Sequence, residues 1–422
     1  MPPLKKILKI SFIILSIILC LAISFILYET RDEIEAMPEN INAKLQECYN
    51  SERMAGFSVS VFGADSVYYI GGTGYADKEQ QIPYTSSTLQ YTASLCKTSI
   101  GFCLLKGVEL GFFELDDPIN AHLPFKVNNP YFPNEPINIR HLAMHTSSLD
   151  YNEEVVESLY VDESEKTASM EEFMRDYFER GKYGEVLFTE HLPGTHWNYT
   201  NLGSALAAYI IEYKSGQTYD DFCQKHLLQK VGMKHTAWFR ERVQQELFSQ
   251  HYAPVSQAGY ELIKSQGVHL YPVRDMITNA QDLTKYAQAM MRQDPNLLSP
   301  ESYQELLSPA LSNEVSGREV DQQGLFWMMD RNQYGVTYSL TGMNGGDSYI
   351  NTMMWMDNRT GLGYIFLGNT GASKASVGNH IWIFRALVSL GDYIVLHDPQ
   401  RSFWEKWEHR LYNYYSRLTG LL

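Results

Sequence analysis

The chain has 422 residues, 44% of them hydrophobic, and is long enough to bury one large core or two smaller ones. Its formal net charge of −15 argues against the basic surface of a nucleic-acid-binding protein, so we expect no nucleic-acid partner. Its aromatic content of 13% indicates a folded chain without a long disordered tail.

An apolar run near the N-terminus predicts a membrane helix. Residues 7–28 are almost continuously apolar, and a membrane span needs about 20 such residues. Three lysines within the first nine residues favour a cytoplasmic N-terminus, which places the rest of the chain on the extracytoplasmic side. A cleaved signal peptide is the alternative, although no A-x-A-like site ends the run. A lipoprotein signal is disfavoured, because the bulky Leu19 precedes Cys20.

The next part of the chain predicts a β-hairpin and a long helix. Residues 57–63 alternate apolar and small side chains as a strand does, and residues 67–77 form the expected hairpin partner. Residues 94–113 are apolar at helical spacing and include Gly111 near their end. Residues 137–150 predict a short helix that runs into a turn.

The remaining elements predict an α+β fold. Residues 151–190 are charged and aromatic and predict a mostly helical insertion, and residues 204–216 predict an amphipathic helix. From residue 325 onward, apolar runs separated by Asn, Asp and Gly turns predict strands. With strands at both chain ends and helices between them, we expect an antiparallel sheet formed from both ends and flanked by helices.

The cysteine pattern does not predict a disulfide framework at this chain length. Cys96 and Cys103 lie on one predicted helix, where buried thiols act as small hydrophobic groups. Cys48 and Cys223 are a candidate disulfide pair, although nothing in the sequence requires it.

These features divide the chain into an anchor or signal segment (1–30), a linker with a lead-in helix (31–49), a main domain (50–395) and a C-terminal amphipathic aromatic tail (396–422). One helical stripe of the tail contains Phe403, Trp407, Leu411, Tyr414 and Leu418. The simpler interpretation is a helix packed on its own domain. The alternative is a helix lying at the membrane interface, where aromatic residues and Arg are favoured.

Two residues three positions apart are the first candidates for chemistry. Ser94 and Lys97 lie on one face of the predicted helix, about 5–6 Å apart at Cβ. Because that helix is apolar, Lys97 is expected to be buried, and desolvation lowers the pKa of a lysine toward that of a useful base. The structural alternative is an exposed helix start, with Ser94 as its cap and Lys97 in solvent.

A second candidate element is Tyr199 with Asn201, two residues apart before the helix 204–216. The phenol is suited to proton transfer, and the amide to holding Lys97 and orienting a substrate amide. Tyr349 and Asn351 repeat the spacing, but the position before an amphipathic helix favours Tyr199 and Asn201.

Four stretches in order, YTASLCK, IRHLAMHTSSLD, PGTHWNYTNLGSALAAYIIE and GGDSYINTMMWMDNRTGLGYIFLGNT, resemble the serine β-lactamase and penicillin-binding-protein superfamily over residues 50–390. The resemblance is to its class C-like branch of D-alanyl-D-alanine peptidases, esterases and β-lactamase-related hydrolases. It implies that Ser94 is acylated, that Lys97 accepts its proton, that Tyr199 is the partner acid or base, and that Asn201 lies in the polar wall. It implies no cofactor and no metal.

The third motif of this superfamily is altered here. Relatives place Lys or His, a small residue and Gly on the strand lining the cleft, and this chain has Met343, Asn344 and Gly345. The resemblance still implies an oxyanion hole from the backbone N–H groups of Ser94 and Gly346. It also implies that Asn344 and Gly345, with Asn201, are substrate-binding or oxyanion residues. A methionine cannot pair with a substrate carboxylate, so we expect an ester or amide substrate without one.

Histidines offer a rival chemistry. His141 and His145 have an i, i+4 spacing that binds zinc on some helices, but no glutamate follows His141 and no third ligand is evident. We expect this segment to brace the floor of the site, as the resemblance implies. His196 is expected to be a packing or hydrogen-bonding residue.

These patterns predict a membrane-anchored extracytoplasmic serine hydrolase that acts through an acyl-enzyme on a small-molecule, peptide or cell-wall-derived substrate. The alternative is a surface sensor or binding protein that kept the cleft and lost turnover, which Met343 motivates. The oligomeric state is left open by the sequence.

Overall fold

A computed structural model describes residues 37–51, 54–150, 152–167, 169–255, 259–330, 340–371 and 377–419. Its centre is an eight-stranded antiparallel sheet with the strand order β10-β11-β12-β13-β14-β1-β2-β3. The strands of this sheet are β1 (Gly56–Gly63), β2 (Val67–Asp77), β3 (Ile82–Pro83), β10 (Gln322–Gln323), β11 (Met328–Asp330), β12 (Leu340–Gly346), β13 (Asn351–Asp357) and β14 (Leu362–Gly368). The expected α+β fold, with one sheet built from both chain ends, is therefore confirmed.

Three two-stranded sheets lie between these ends. They pair β4 (Gln90–Tyr91) with β9 (Ile277–Thr278), β5 (Tyr160–Asp162) with β8 (Gln266–Val268), and β6 (His251–Val255) with β7 (Gly259–Ile263).

Helices cover both faces of the main sheet. They are α1 (Met37–Ser51), α2 (Lys97–Glu109), α3 (Ile139–Ala143), α4 (Glu153–Glu157), α5 (Glu171–Phe178), α6 (Asn201–Ser215), α7 (Tyr219–Cys223), α8 (Gln229–Val231), α9 (Ala280–Arg292), α10 (Pro300–Leu307), α11 (Val377–His397) and α12 (Phe403–Thr419). A π-helical turn, Gln224–Leu228, joins α7 to α8. The described residues of the insertion between residues 151 and 190 form the short helices α4 and α5, two 3₁₀ turns and strand β5, so the segment is less helical than expected.

Alternation along the strands separates the two faces. The front face, which includes Met354 and Ile365, packs on the helices around α2. The back face, which includes Trp355 and Phe366, packs on α1 and α11. Ser60 also follows this alternation. It lies on the front side of β1, where it accepts a hydrogen bond from Thr284 of α9 at 2.9 Å.

The lead-in and tail segments both form helices. Helix α1 buries Ile41 and Leu45 against the back face, as the expected lead-in helix requires. Helix α12 lies against α11, but its buried contact is His409, whereas Phe403 is 70% exposed. The expectation that the aromatic stripe packs on its own domain is therefore wrong for Phe403. Tyr414 and Leu418 belong to the part of the helix whose side chains are outside the described set.

The candidate disulfide between Cys48 and Cys223 does not form. Cys48 and Cys223 are both buried, Cys48 with the back-face residues and Cys223 with the front-face residues. The sheet between these two clusters keeps the thiols apart. The predicted membrane segment, residues 7–28, lies outside the described residues, and none of the helices inside them has the length and hydropathy to cross a bilayer.

Candidate active site

Ser94 lies on a 3₁₀ turn, Ala93–Cys96, immediately before α2. The sequence predicted that the α-helix begins at residue 94, three residues before its actual start. Ala93 has a φ of +49°, a left-handed conformation that is uncommon for residues other than Gly, and strain of this kind concentrates at functional sites. Two hydrogen bonds hold the turn from neighbouring elements. Thr92 N–H donates to Met276 O at 2.9 Å, and Thr352 Oγ1 donates to Thr92 O at 2.6 Å.

Lys97 is the first residue of α2, and its side chain is completely buried. Its Nζ lies 2.9 Å from Ser94 Oγ and donates to the carbonyl oxygen of Val273 at 2.9 Å. Burial lowers the pKa of Lys97 to about 7, because removing the ammonium from water disfavours its charged form. A large share of the Lys97 side chains is therefore neutral at neutral pH and able to accept a proton.

Tyr199 arrives from the loop before α6 and completes the cluster. Its hydroxyl donates to Ser94 Oγ at 2.7 Å, and Lys97 Nζ lies 5.2 Å from the centre of its ring. Burial raises the pKa of the Tyr199 phenol, so the group stays protonated at neutral pH. The loop position is set by the next residue, Thr200, whose side chain caps α6 by accepting the N–H of Leu202 at 3.2 Å.

The segment after α3 supports this loop. The backbone carbonyl of His145 accepts from Asn198 N–H at 2.8 Å, and its Nδ1 accepts from Thr200 N–H at 3.5 Å. The His145 ring packs on the Tyr199 ring with centroids 4.6 Å apart. Burial, with a smaller contribution from the charge of Lys97, lowers the pKa of His145 to about 3, so the imidazole is neutral.

The other two histidines also make local contacts. His141 Nδ1 accepts from the N–H of Asn138 at 3.2 Å, within the capping arrangement of α3. His196 Nδ1 lies 2.8 Å from Ser316 Oγ, and its ring stacks on His191 with centroids 3.8 Å apart. The expected hydrogen-bonding role of His196 agrees with these contacts.

Among the described residues, Asn201 is not the group that holds Lys97, and its expected place in the polar wall stays a prediction. It is the half-buried first residue of α6, and within the described part of the chain Lys97 is held by Val273 rather than by the Asn201 amide. The sequence could not predict the role of Val273, because every residue has a backbone carbonyl group. Tyr349, the alternative to Tyr199, is buried elsewhere and bonds Arg274.

The end of β12 approaches the nucleophile. A Cβ added to Gly345 would lie 2.1 Å from the carbonyl oxygen of Thr92, so only glycine allows this contact. Gly346, the next residue, is exposed, and within the described part of the chain a Cβ there would meet no atom within 4 Å. The space beside Gly346 is therefore open, and the expected oxyanion hole from the backbone N–H groups of Ser94 and Gly346 stays a prediction.

The two preceding residues of β12 lie on opposite faces. Met343 is buried on the front side, in phase with Gly345. Asn344 accepts a hydrogen bond from the indole N–H of Trp355 at 2.7 Å, on the back face. The expectation that the Asn344 side chain binds substrate is therefore wrong, since the alternation of the strand turns it away from Ser94.

A largely buried network of ion pairs connects the segment that holds Lys97 with the end of β12, and the sequence did not predict it. Arg274 follows Val273 and donates from Nε to Asp347 Oδ2 at 2.6 Å, and Asp347 follows Gly346. Arg274 Nη1 also donates to Asp275 Oδ1 at 2.8 Å, and Asp275 lies 3.3 Å from Lys166 Nζ. No regular spacing connects these residues, so only the fold brings them together.

Comparisons with known proteins agree with this geometry. A sequence model of the β-lactamase family matches residues 41–387. The putative penicillin-binding protein PbpX of Bacillus subtilis is 26% identical over 251 residues, which is 57% of this chain and 56% of that protein. Penicillin-binding protein 4* of the same organism is 26% identical over 370 residues, 78% of this chain and 72% of that protein.

Solved structures share the fold. D-amino acid amidase from Ochrobactrum anthropi superposes with a TM-score of 0.67 at 22% identity, covering 83% of this chain and 98% of that one. The octameric penicillin-binding protein homologue from Pyrococcus abyssi gives a TM-score of 0.67 at 21% identity, covering 84% and 77%. Because the family match spans most of the sequence and includes the Ser94, Lys97 and Tyr199 cluster, the chain belongs to the β-lactamase family.

Proposed function

We propose that this chain is a serine hydrolase that forms an acyl-enzyme at Ser94. The observation that carries the proposal is the convergence of three groups from two parts of the chain. Ser94 Oγ lies 2.9 Å from the buried amine of Lys97 and 2.7 Å from the half-buried phenol of Tyr199. A serine hydroxyl is a weak nucleophile by itself, and a neighbouring base is what activates it.

Acylation begins when Ser94 Oγ attacks the carbonyl carbon of the substrate. The hydroxyl proton passes to neutral Lys97, whose other N–H remains bonded to Val273 O. The new Oγ–C bond makes a tetrahedral intermediate, whose oxyanion accepts hydrogen bonds from the N–H groups of Ser94 and Gly346. The intermediate collapses as the bond to the leaving alcohol or amine breaks.

Tyr199 supplies the leaving group with a proton and is reprotonated by the Lys97 ammonium. This order agrees with the two pKa shifts, since the phenol is held protonated and the amine is held near neutrality. In the second half of the reaction, water gives a proton to the same pair and attacks the acyl carbon. The acid is released, and Ser94 regains its proton.

The substrate we propose is an ester or an amide without a carboxylate beside the scissile bond. Met343 takes the place of a cation, and Arg274 is already saturated by Asp347, Asp275 and Tyr349. A cavity of about 390 Å³ next to Tyr199 offers room for a substrate side group and is lined by His196, Trp197, Asn198, Tyr199, Gly317 and Glu319. The structurally similar D-amino acid amidase was solved in complex with L-phenylalanine amide, an amide that has no carboxylate.

We also propose that residues 7–28 anchor the chain in the cell membrane, with the hydrolase domain outside. The support is the length and hydropathy of the segment together with three lysines at its N-terminal end, Lys5, Lys6 and Lys9. Retention of the full-length chain in membranes after alkaline carbonate extraction tests the anchor. Release of the whole chain into the supernatant contradicts it.

Acylation is tested with a fluorophosphonate probe and intact-protein mass spectrometry. We expect one adduct on the wild type and none on Ser94→Ala, with Ser99→Ala as a matched control because Ser99 bonds Tyr219 instead. Equal labelling of wild type and Ser94→Ala would falsify the assignment of the nucleophile.

Turnover separates an enzyme from a sensor that lost catalysis. We expect p-nitrophenyl esters to be hydrolysed continuously, beyond the first equivalent of p-nitrophenol. Met343→Lys should shift preference toward carboxylate-bearing substrates such as penicillins, because it restores a cation on the front side of β12. A single burst in the wild type together with steady turnover in Met343→Lys supports the sensor instead.

A further inference from the structure

The outer surface of α12 is unusual for a water-soluble domain. Phe403 is 70% exposed, the adjacent Trp404 is 73% exposed, and Leu411 is 39% exposed. Among the described side chains, Phe403 and Trp404 are the most exposed large apolar residues, since the others reach 49% at most. We call Phe403, Trp404 and Leu411 the outer stripe, because they share an arc of about 100° on the helix.

The polar side of α12 holds it to the domain. His409 is buried, and its two ring nitrogens lie 2.9 Å from Asp392 Oδ1 of α11 and 2.7 Å from Arg359 Nη1. Arg359 also lies over the ring of Tyr412, 4.2 Å from its centre. The inner side of α12 therefore combines these polar contacts with the partly buried ring of Tyr412, while the outer stripe faces outward.

The position of α12 in the chain is consistent with contact between the outer stripe and a lipid bilayer. The proposed anchor ends at residue 28, and α1 begins at Met37, so the chain between them spans at most about 30 Å. Helix α1 packs on α11, and α11 carries α12. The helix that holds the outer stripe is thus packed, through α11, on the same side of the main sheet as the helix that follows the anchor.

We infer that α12 lies on the outer surface of the membrane, with the outer stripe in the headgroup region. This inference rests on the anchor proposed above. Trp at an interface keeps its ring in the apolar layer and its N–H in the wet layer, which suits a helix lying flat. The main sheet then stands between the membrane and Ser94, because α1 and α11 cover its back face and the Ser94 turn packs on its front.

This orientation has a functional consequence. The catalytic cleft is on the side of the sheet remote from the bilayer, so substrates reach it from the aqueous phase outside the cell. A substrate embedded in the lipid leaflet fits this placement poorly.

The test uses the full-length chain in liposomes with an environment-sensitive fluorophore on an introduced cysteine. Trp404→Cys places the probe in the outer stripe, and Tyr213→Cys is the matched control, a 48% exposed aromatic position on α6. Both carry Cys20→Ser, and the other four native cysteines are buried. Nitroxide-labelled lipids then report which probe touches the bilayer.

We expect the lipid quencher to remove at least half of the fluorescence at position 404 and almost none at position 213. Weak quenching at both positions overturns the inference. A blue-shifted but unquenched probe at position 404 also overturns it, because the cover is then protein, such as a second copy of the chain.

A second variant tests the stripe as a unit. With the probe at Leu411→Cys, the double substitution Phe403→Ser and Trp404→Ser should abolish quenching, while the rate of Ser94 labelling stays unchanged. Alkaline extraction of the same samples reports on the anchor separately. A chain that resists extraction but shows no quenching refutes the surface helix and leaves the anchor and the hydrolase intact.

Discussion

The two faces of the main sheet are both buried, but they are built from different chemistry. On the front side, the ionisable side chains of Lys97, Arg274 and Asp347 are each at most 10% exposed, and Lys97 contacts Ser94 directly. The core of the back face consists largely of apolar side chains, such as Trp355 and Phe366, packed on α1 and α11. Burial of these ionisable groups lowers the free energy of unfolding but makes them reactive, whereas apolar packing on the back face raises the free energy of unfolding.

Lys97 shows the cost most clearly. A pKa lowered from 10.5 to about 7 corresponds to a burial cost on the order of 5 kcal/mol at or below neutral pH. The folded pKa lies below the unfolded one, so stability rises as the pH increases from about 7 to 10.5, where the unfolded chain binds the additional proton. An apolar residue in this position has no such cost.

The largest expected effect follows from Lys97→Met. We expect the rate constant of Ser94 acylation to fall by about 10³-fold, because removal of a general base typically costs 10²–10⁴-fold. The melting temperature should not fall, because Met fills the same space without a buried amine. Acylation near the wild-type rate would show that Lys97 is not the base, and a lowered melting temperature would contradict the stability cost assigned to it.

Tyr199→Phe should have a smaller and substrate-dependent effect. We expect about a 10²-fold decrease in kcat for an amide substrate, whose leaving amine needs a proton. The rate of fluorophosphonate labelling should fall less than tenfold, because fluoride leaves without one. Equal losses with both reagents would indicate that Tyr199 acts on Ser94 alone.

Asp347→Asn tests the ion pair with Arg274, which connects the segment that holds Lys97 with the end of β12. The substitution removes the charge that Arg274 Nε faces at 2.6 Å, so the turn after Gly346 should loosen. We expect kcat to fall about tenfold with little change in KM, as expected for a group that acts only in the transition state. Arg140→Met, which breaks a more exposed ion pair with Asp116, is the control and should leave kcat unchanged.

The smallest effect on rate is expected from the back face. Phe366→Ala should lower the free energy of unfolding by about 3–5 kcal/mol, because it leaves a cavity in a fully buried cluster. Acylation of the protein that remains folded should proceed at the wild-type rate. A large change in that rate would show that the two faces are coupled and would break the distinction drawn between them.

Sequence reasoning recovered what periodicity and motif spacing encode. The fold class, the closeness of Ser94 to Lys97 and the choice of Tyr199 over Tyr349 all follow from helical spacing or from position before a helix. The side-chain direction of Asn344 was missed because alternation on β12 could not be phased without a partner strand. The Val273 carbonyl was missed because a backbone group leaves no trace in the sequence.

The outer stripe gives a related lesson. A helical stripe of aromatic residues predicts an amphipathic helix correctly, but it does not say which side faces the protein. In α12, burial of His409 between Asp392 and Arg359 decided the orientation, and these partners are 17 and 50 residues away.

The most direct test of the account is the pH dependence of fluorophosphonate labelling at Ser94. The reactive form has a neutral Lys97, so the second-order rate constant should rise tenfold per pH unit below about pH 7 and level off above it. In Lys97→Met, the rate constant should no longer show this tenfold rise per pH unit below about pH 7. A wild-type rate that continues to rise toward pH 10, as for an ordinary lysine, would contradict the claim that a desolvated amine activates Ser94.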